Sequence, residues 1–301
     1  MLENAIATSL KSSGHHPELF NIMDYAVLPG GKLFRPKLVE AIALDLGCQL
    51  TQDHLHLAAA IEIHHAYTLV HDDLPAMDND QYRRGKLATH AAFGEWKAIL
   101  AGDALLIHSF NELHKVQSQN YRLLLKFFSW ATGAKGLILG QFLDLGAQGK
   151  ASLNDIIRIH ELKTARLIQT STVGSYLISQ DLSFAAFKDY FRLGNVIGVS
   201  FQLLDDLNEL TESSVSDHEL EINPFLLYPE ETLKSLSKCL HSLYAILEKQ
   251  KLGHTTDMMK SYLEKNQRNF IEHQATLLSH FKQKEDFKIE LEKWITSFVA
   301  L

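Results

Sequence analysis

The most informative segment of this chain is LVHDDLPAMDNDQYRRG, residues 69–85. An apolar helical pattern leads into four aspartates, and two arginines follow: Asp72, Asp73, Asp78, Asp80, Arg83 and Arg84. Crowded carboxylates repel one another and lose hydration, so a cation must neutralise them, and hard divalent ions with oxygen ligands suit them best. The segment therefore predicts a metal site at a helix end, and a solvated acidic helix end is the alternative it leaves open.

The sequence around this segment has the periodicity of helices. Apolar residues recur at spacings of three and four, and no proline occurs between Pro75 and Pro224. Strand-like alternation bounded by turn residues is not apparent. We predict an all-α fold in which long helices pack into a bundle around a central cavity. The predicted helices are 2–13, 18–28, 35–47, 53–74, 92–116, 120–147, 152–180, 184–210, 230–250, 255–281 and 285–299.

Composition limits the function classes that remain. The 301 residues are 46% hydrophobic and 22% charged, which excludes a disordered chain, and the formal charge of -7 argues against binding to nucleic acid or an anionic membrane surface. The two cysteines, Cys48 and Cys239, lack metal-ligand spacing and indicate a reducing compartment. With no signal-like start, no transmembrane run, no linker and no repeat, we expect one cytoplasmic domain over residues 1–301.

A second acidic group lies in FQLLDDLNELTE, residues 201–212. Helical spacing puts Gln202, Asp205 and Glu209 on one face. Two acidic faces, each at the end of an apolar helix, could hold metal ions, and a bundle interior is a known place for such sites.

Cations that could bind an anion without metal occur near the N-terminus and in the helix before Asp72. The segment LPGGKLFRP, residues 28–36, supplies Lys32 and Arg35 after a Gly-Gly turn, and His65 lies about two helical turns before Asp72. Taken singly, these could be surface charges and a core histidine.

Five motifs in one order carry a resemblance to a known family. They are GGK-x-x-RP, DDLPAMD, RRG, H-x-x-KT and, after Phe-Gln, DD-x-x-E. On them, residues 24–210 resemble the trans-type polyprenyl diphosphate synthases, closest to the bacterial farnesyl diphosphate synthases. The resemblance implies the isoprenoid-synthase fold, a homodimer, and Mg²⁺-dependent condensation of isopentenyl diphosphate with dimethylallyl or geranyl diphosphate.

The resemblance also implies residue roles. Three aspartates would ligate Mg²⁺, with three more carboxylates as neighbours or outer partners: Asp72, Asp78 and Asp205, then Asp73, Asp206 and Glu209. Isopentenyl diphosphate would bind Lys32, Arg35, His65 and Arg84, and the allylic diphosphate would contact Arg83. Lys163 would neutralise phosphate charge, while Thr164 and Gln202 would offer oxygen dipoles to the carbocation. Because residues six apart do not share a helical face, Pro75 must distort the chain between Asp72 and Asp78 if both are to reach the same metal ions.

Product length is assigned by the same resemblance to Tyr67 and Thr68, one turn before the first acidic motif. An aromatic ring at Tyr67 would floor a short tunnel and favour a fifteen-carbon product. Tyr67 could equally be an ordinary core residue.

The chain departs from the family pattern after the second acidic motif. Family members carry Gly-Lys and a further Lys in a closing loop there, whereas LTESSVSDHELEINPFLLYPEET, residues 210–232, contains no Gly, Lys or Arg. The departure raises the alternative of an inactive or weak homologue that binds diphosphate or a partner subunit. A class I terpene cyclase is disfavoured, because its second metal motif is absent and Lys32 and Arg35 are present.

Overall fold

The protein is described by a computed structural model that covers residues 1–11, 16–28, 31–146, 151–212, 215, 222–282 and 284–300. The chain forms two compact units, one of Met1–Phe128 with Thr170–Ser183 and the other of Ser129–Gln169 with Phe184–Leu301. Apart from one short hairpin, the regular elements of the described residues are helices, so the predicted all-α fold class is confirmed.

The described part of the first unit contains six helices and the hairpin before the chain enters α7 (Tyr121–Thr132), in which the first unit gives way to the second. These elements are α1 (Leu2–Lys11), α2 (Pro17–Val27), α3 (Phe34–Asp45), α4 (Gln52–Asp72), β1 (Tyr82–Arg83), β2 (Lys86–Leu87), α5 (Thr89–Phe93) and α6 (Glu95–Leu113). The helix α4 packs against α1, α2, α3 and α6 and is buried on most of its circumference. An all-round apolar helix is what a core position requires.

The second unit holds the remaining elements, and α10 (Arg166–Ser179) continues from it into the first unit. They are α8 (Leu137–Gly146), α9 (Leu153–His160), a π-helical segment (Glu161–Ala165), α11 (Phe184–Glu209), α12 (Pro224–Leu227), α13 (Pro229–Gln250), α14 (Gly253–Glu272), α15 (Gln274–Ser279), α16 (Glu285–Ser297) and a 3₁₀ turn (Phe298–Ala300). Pro224 and Pro229 stand at the first position of α12 and α13, where a missing N–H costs nothing.

Several predicted helices are shorter than expected, and glycine explains two of the breaks. The predicted helix 120–147 was wrong as one element, because α7 ends at Thr132 and α8 begins at Leu137. A Cβ on Gly136 would lie 2.0 Å from the Ala131 carbonyl oxygen, so this turn admits only glycine. The predicted helix 92–116 is likewise divided, since Gly94 has φ 95° between α5 and α6.

Three further differences concern the rest of the chain. The predicted helix 255–281 breaks at His273, the predicted helix 152–180 contains the π-helical segment, and the β1–β2 hairpin was missed. Two-residue strands give too little alternation for a sequence pattern to detect. No helix within the described ranges combines the length and apolar character needed to cross a membrane.

Candidate functional site

The first acidic motif begins where α4 ends. Beyond Asp72 the chain turns back, and the Asp78 amide donates a hydrogen bond to the Asp72 carbonyl at 2.9 Å. The Leu74 carbonyl accepts from the amides of Met77 and Asn79 at 2.9 and 3.1 Å, and Asn79 has a left-handed φ of 56°. The predicted distortion between Asp72 and Asp78 is therefore confirmed, and it brings their two backbones together.

Asp73, which lies between Asp72 and Asp78 in the sequence, bonds to an arginine. It is buried and accepts hydrogen bonds from Nε and Nη2 of Arg83 at 2.9 and 2.5 Å, while Arg83 Nη2 also donates to Asp80 at 2.7 Å. Burial raises the pKa of Asp73, and the Arg83 guanidinium opposes that rise. Asp73 thus fixes the direction of Arg83, whereas Asp72 is half-buried and Asp78 is exposed.

Arg84 lies in the turn between β1 and β2, with φ 53°, and is followed by Gly85 with φ 78°. Its guanidinium lies against Gly31, where an added Cβ would come within 3.0 Å of Cζ. A side chain at position 31 would therefore require the Arg84 guanidinium to shift by a few tenths of an ångström. The exposed Lys32 follows Gly31 directly.

Arg35 and Arg84 act electrostatically on His65 and on a buried carboxylate that sequence reasoning missed. Burial, Arg35 and Arg84 together hold the pKa of His65 well below its usual range, so this imidazole is neutral at pH 7. Burial and Arg84 lower the pKa of Arg35 to about 10, while Glu62 opposes that change. Glu62 is 4% exposed, its pKa is raised by burial, and both arginines pull it back. Glu62 stands one turn before His65 on α4, so its helical spacing was the available signal.

The predicted length-determining residues lie in an aromatic part of the same unit. Tyr67 is 5% exposed and meets the His64 ring edge-to-face with 4.5 Å between centroids, and the Phe128 ring also meets His64 edge-to-face, at 5.2 Å. Burial, aided by Asp72, raises the pKa of Tyr67 to about 12. The Thr68 hydroxyl donates to the His65 carbonyl at 2.8 Å, as threonines within helices do.

In the second unit, the π-helical segment carries Lys163 and Thr164. Lys163 Nζ donates to Asp144 at 2.5 Å, and the Thr164 hydroxyl donates to Gln202 Oε1 at 2.9 Å. Isolated π turns inside α-helices are frequent at functional sites. Asp144, on α8, was also missed by sequence reasoning, because only the fold brings it to Lys163.

The second acidic motif is organised around Asp206. Its carboxylate accepts from Gln202 Nε2 at 3.1 Å and lies 3.6 Å from His160 Nε2, while its backbone carbonyl accepts from Asn223 Nδ2 at 2.8 Å. Gln202 thus bonds to the buried Asp206 and not to the exposed Asp205, with which it was grouped on one face. Burial lowers the pKa of His160 to about 4. Glu209, the last member of the motif, is half-buried.

The donor chemistry of both motifs fits Mg²⁺. Asp72, Asp78 and Asp205 offer hard carboxylate oxygens, which is the ligand type that this ion prefers. Across the part of the chain that the structure describes, no three His, Cys, Asp or Glu side chains stand together as a ready-made metal site. Parts of the lysine-free loop, at residues 213–214 and 216–221, lie outside the described residues.

Comparisons with known proteins agree with these features. The Polyprenyl synthetase family model matches residues 16–218. A farnesyl diphosphate synthase of Micrococcus luteus is 39% identical over 215 residues, which are 70% of this chain and 73% of that protein.

Two solved structures share the fold along most of the chain. A geranyltransferase of Legionella pneumophila has a TM-score of 0.78 at 26% identity and covers 90% of this chain and 94% of its own. A geranyltransferase of Helicobacter pylori, complexed with magnesium and isoprenyl diphosphate, has a TM-score of 0.71 at 30% identity and covers 86% of this chain and 95% of its own.

Proposed function

Because the chain belongs to the polyprenyl synthetase family, we propose that it is a Mg²⁺-dependent prenyltransferase that makes farnesyl diphosphate. Its substrates are isopentenyl diphosphate and an allylic diphosphate, dimethylallyl or geranyl. The C–O bond of the allylic diphosphate breaks, the double bond of isopentenyl diphosphate attacks the carbocation, and loss of one proton gives the longer allylic diphosphate. We propose that residues 1–301 work as one synthase domain.

One arrangement supports this proposal: α4 carries groups that suit two diphosphate sites of different kinds. At its end is the closed acidic turn from Asp72 to Asp78, which suits a metal-bound diphosphate. Near its middle is His65, whose pKa is lowered by burial and by Arg35 and Arg84, and these two guanidinium groups suit a diphosphate without metal. A condensation of two diphosphates needs both kinds of site.

On the allylic side, Asp72, Asp78 and Asp205 would hold Mg²⁺. Bound there, Mg²⁺ would stabilise the negative charge that develops on the leaving diphosphate. Arg83, fixed by Asp73, contacts the same diphosphate.

Three residues of the second unit act near the carbocation. Lys163 exchanges its Asp144 partner for phosphate oxygens. The Thr164 hydroxyl donates a hydrogen bond to Gln202, so the lone pairs of its oxygen remain available to the cation.

On the isopentenyl side, Lys32, Arg35 and Arg84 supply the positive charge. His65 is neutral in the free protein and donates a hydrogen bond rather than a charge. Tyr67 closes the hydrocarbon tunnel and limits the product to fifteen carbons.

We also propose a homodimer formed through the exposed apolar face of α6. Trp96, Leu100 and Ile107 are 65%, 53% and 61% exposed and recur at helical spacing, which is costly on an unpartnered surface. Sedimentation analysis should show a dimer, and Leu100→Lys should shift it to monomer.

Both cysteines are free thiols, which supports a cytoplasmic location.

The deciding experiment is an assay with purified protein, labelled isopentenyl diphosphate, each allylic primer, and Mg²⁺ or EDTA, with product length read by chromatography. We expect Mg²⁺-dependent farnesyl diphosphate from both primers. The absence of product from every primer would refute the enzyme assignment and favour the diphosphate-binding homologue, which no comparison supports. Mainly twenty-carbon product would refute the role of Tyr67.

A further inference from the structure

Lys86 ends the run Arg83-Arg84-Gly85-Lys86, and its surroundings differ from those of the two arginines. Its Nζ donates hydrogen bonds to the carbonyls of Tyr25 and, at 3.1 Å, of Leu28, and it lies 3.9 Å from the centroid of the Tyr25 ring. Tyr25 is in the last turn of α2, and Leu28 follows the helix. The ammonium thus satisfies carbonyls that a helix end leaves without intrahelical partners, where a cation is also favoured by the helix dipole.

A second bond joins the same two segments in the opposite direction. The Tyr25 hydroxyl donates to the Leu87 carbonyl at 2.7 Å. The side chain of each segment therefore bonds to the backbone of the other. We call these contacts of Tyr25 and Leu28 with Lys86 and Leu87 the α2–hairpin clamp.

The clamp joins the two segments that carry cations for isopentenyl diphosphate. On the hairpin, Arg84 is two residues before Lys86, and its guanidinium lies against Gly31. On the other segment, Lys32 is four residues after Leu28. Arg84 and Lys32 thus belong to the two segments that the clamp joins.

We propose that Lys86 is a positioning residue that holds Arg84 and Lys32 at the spacing a diphosphate requires, and that it does not bind the diphosphate itself. Two of the three donors of its ammonium bond to protein carbonyls, and its third side faces the Tyr25 ring. Burial and the neighbouring Arg84 lower the pKa of Lys86, while Asp24 opposes them. The inference rests on the proposed function, because it concerns the isopentenyl diphosphate site.

The test compares Lys86→Met, which removes the cation, with Tyr25→Phe, which removes only the hydroxyl bond to Leu87. Tyr82→Phe is the matched control, because Tyr82 is on the same hairpin and 69% exposed. With geranyl diphosphate saturating, we expect the KM for isopentenyl diphosphate to rise about tenfold in Lys86→Met and about fivefold in Tyr25→Phe. The kcat, the KM for geranyl diphosphate and all constants of Tyr82→Phe should stay within about twofold of the parent.

The Tyr25→Phe variant distinguishes a positioning role of Lys86 from direct binding of phosphate. If Lys86 binds phosphate directly, the KM for isopentenyl diphosphate should rise in Lys86→Met and stay unchanged in Tyr25→Phe, and that result would overturn the proposal. Unchanged KM values in both variants would overturn it as well. Calorimetric titration with isopentenyl diphosphate alone gives a second readout if Lys86→Met folds poorly, because Tyr25→Phe should still bind about fivefold more weakly. If the parent itself neither binds isopentenyl diphosphate nor forms product, the proposed function has failed. If the parent binds it and both variants bind it equally well, only the role of Lys86 has failed.

Discussion

Glycines of two helices pack closely against the backbone of the π-helical segment. Gly140→Ala is therefore a sensitive test of stability. On α8, a Cβ at Gly140 would lie 2.3 Å from the Lys163 amide nitrogen. On α11, a Cβ at Gly198 would lie 2.3 Å from the α-carbon of Ala165. Separations between such atoms are optimal at about 3.5–4.0 Å, so each methyl group would intrude by more than about 1 Å on backbone that has no rotamer to change.

The expected cost follows from two opposing terms. Overpacking of a dense interior costs about 1–3 kcal/mol, here at the upper end because backbone must move. Alanine regains about 1 kcal/mol of helix propensity. We expect Gly140→Ala to lose about 2 kcal/mol and thus to lower Tm by roughly 3 °C in a chain of 301 residues. The π-helical backbone that carries Lys163 would be displaced as well, so we expect kcat to fall together with stability.

The control is Gly146→Ala at the end of the same helix, where an added Cβ meets nothing within 4 Å. Its Tm should be unchanged or higher, since only the propensity term remains. Thermal unfolding of the parent and both variants by circular dichroism measures the difference. Equal Tm values for Gly140→Ala and Gly146→Ala would refute the tight packing of α8 on the π-helical segment.

Two other substitutions test buried groups of the first unit. Glu62→Gln removes a negative charge near a proposed anion site, so simple electrostatics predicts tighter isopentenyl diphosphate binding. We expect the opposite, because Glu62 holds Arg35 and Arg84 in place, so the KM for isopentenyl diphosphate should rise about tenfold in Glu62→Gln. The exposed Glu95→Gln is the control. An unchanged or lower KM in Glu62→Gln would contradict the holding role. His64 has its pKa lowered to about 3 by burial, so below the unfolded value near 6.5 the unfolded state binds the additional proton and stability falls as pH falls. The slope reaches about 1.4 kcal/mol per pH unit for one such group, and urea unfolding between pH 6 and 4 should be less pH-dependent by up to that amount in His64→Phe; an equal pH dependence would exclude a buried neutral histidine.

Sequence patterns predicted most helices, because long amphipathic or apolar segments are local signals. The predicted helix 184–210, for example, is found as Phe184–Glu209. The turn after Asp72 was also predictable, since Pro75 cannot continue a helix without distortion. These features depend on residues close together in the chain.

Interactions between distant segments were not predictable in this way. The sequence Glu161–Ala165 carries no π-helical signature of its own, and its tight surroundings come from Gly140 and Gly198 on other helices. Asp144 and Glu62 look like ordinary helical acids until the fold places them beside Lys163 and Arg35. Their importance lies in partners far away in sequence, which one sequence does not identify.

The π-helical segment has a consequence for how this protein can tolerate change in length. An α-helix advances by about 100° per residue, and a π turn accommodates one additional residue without extending the helix by a full step. Deleting a single residue between Glu161 and Ala165 would let the segment relax into regular α-helix while Ile156 and Ile159 keep their facing relative to Gln169. The same deletion in a regular α-helical part would rotate these two residues by about 100° and turn an apolar face toward water. Natural variation in the length of this helix should therefore be confined to the π-helical segment.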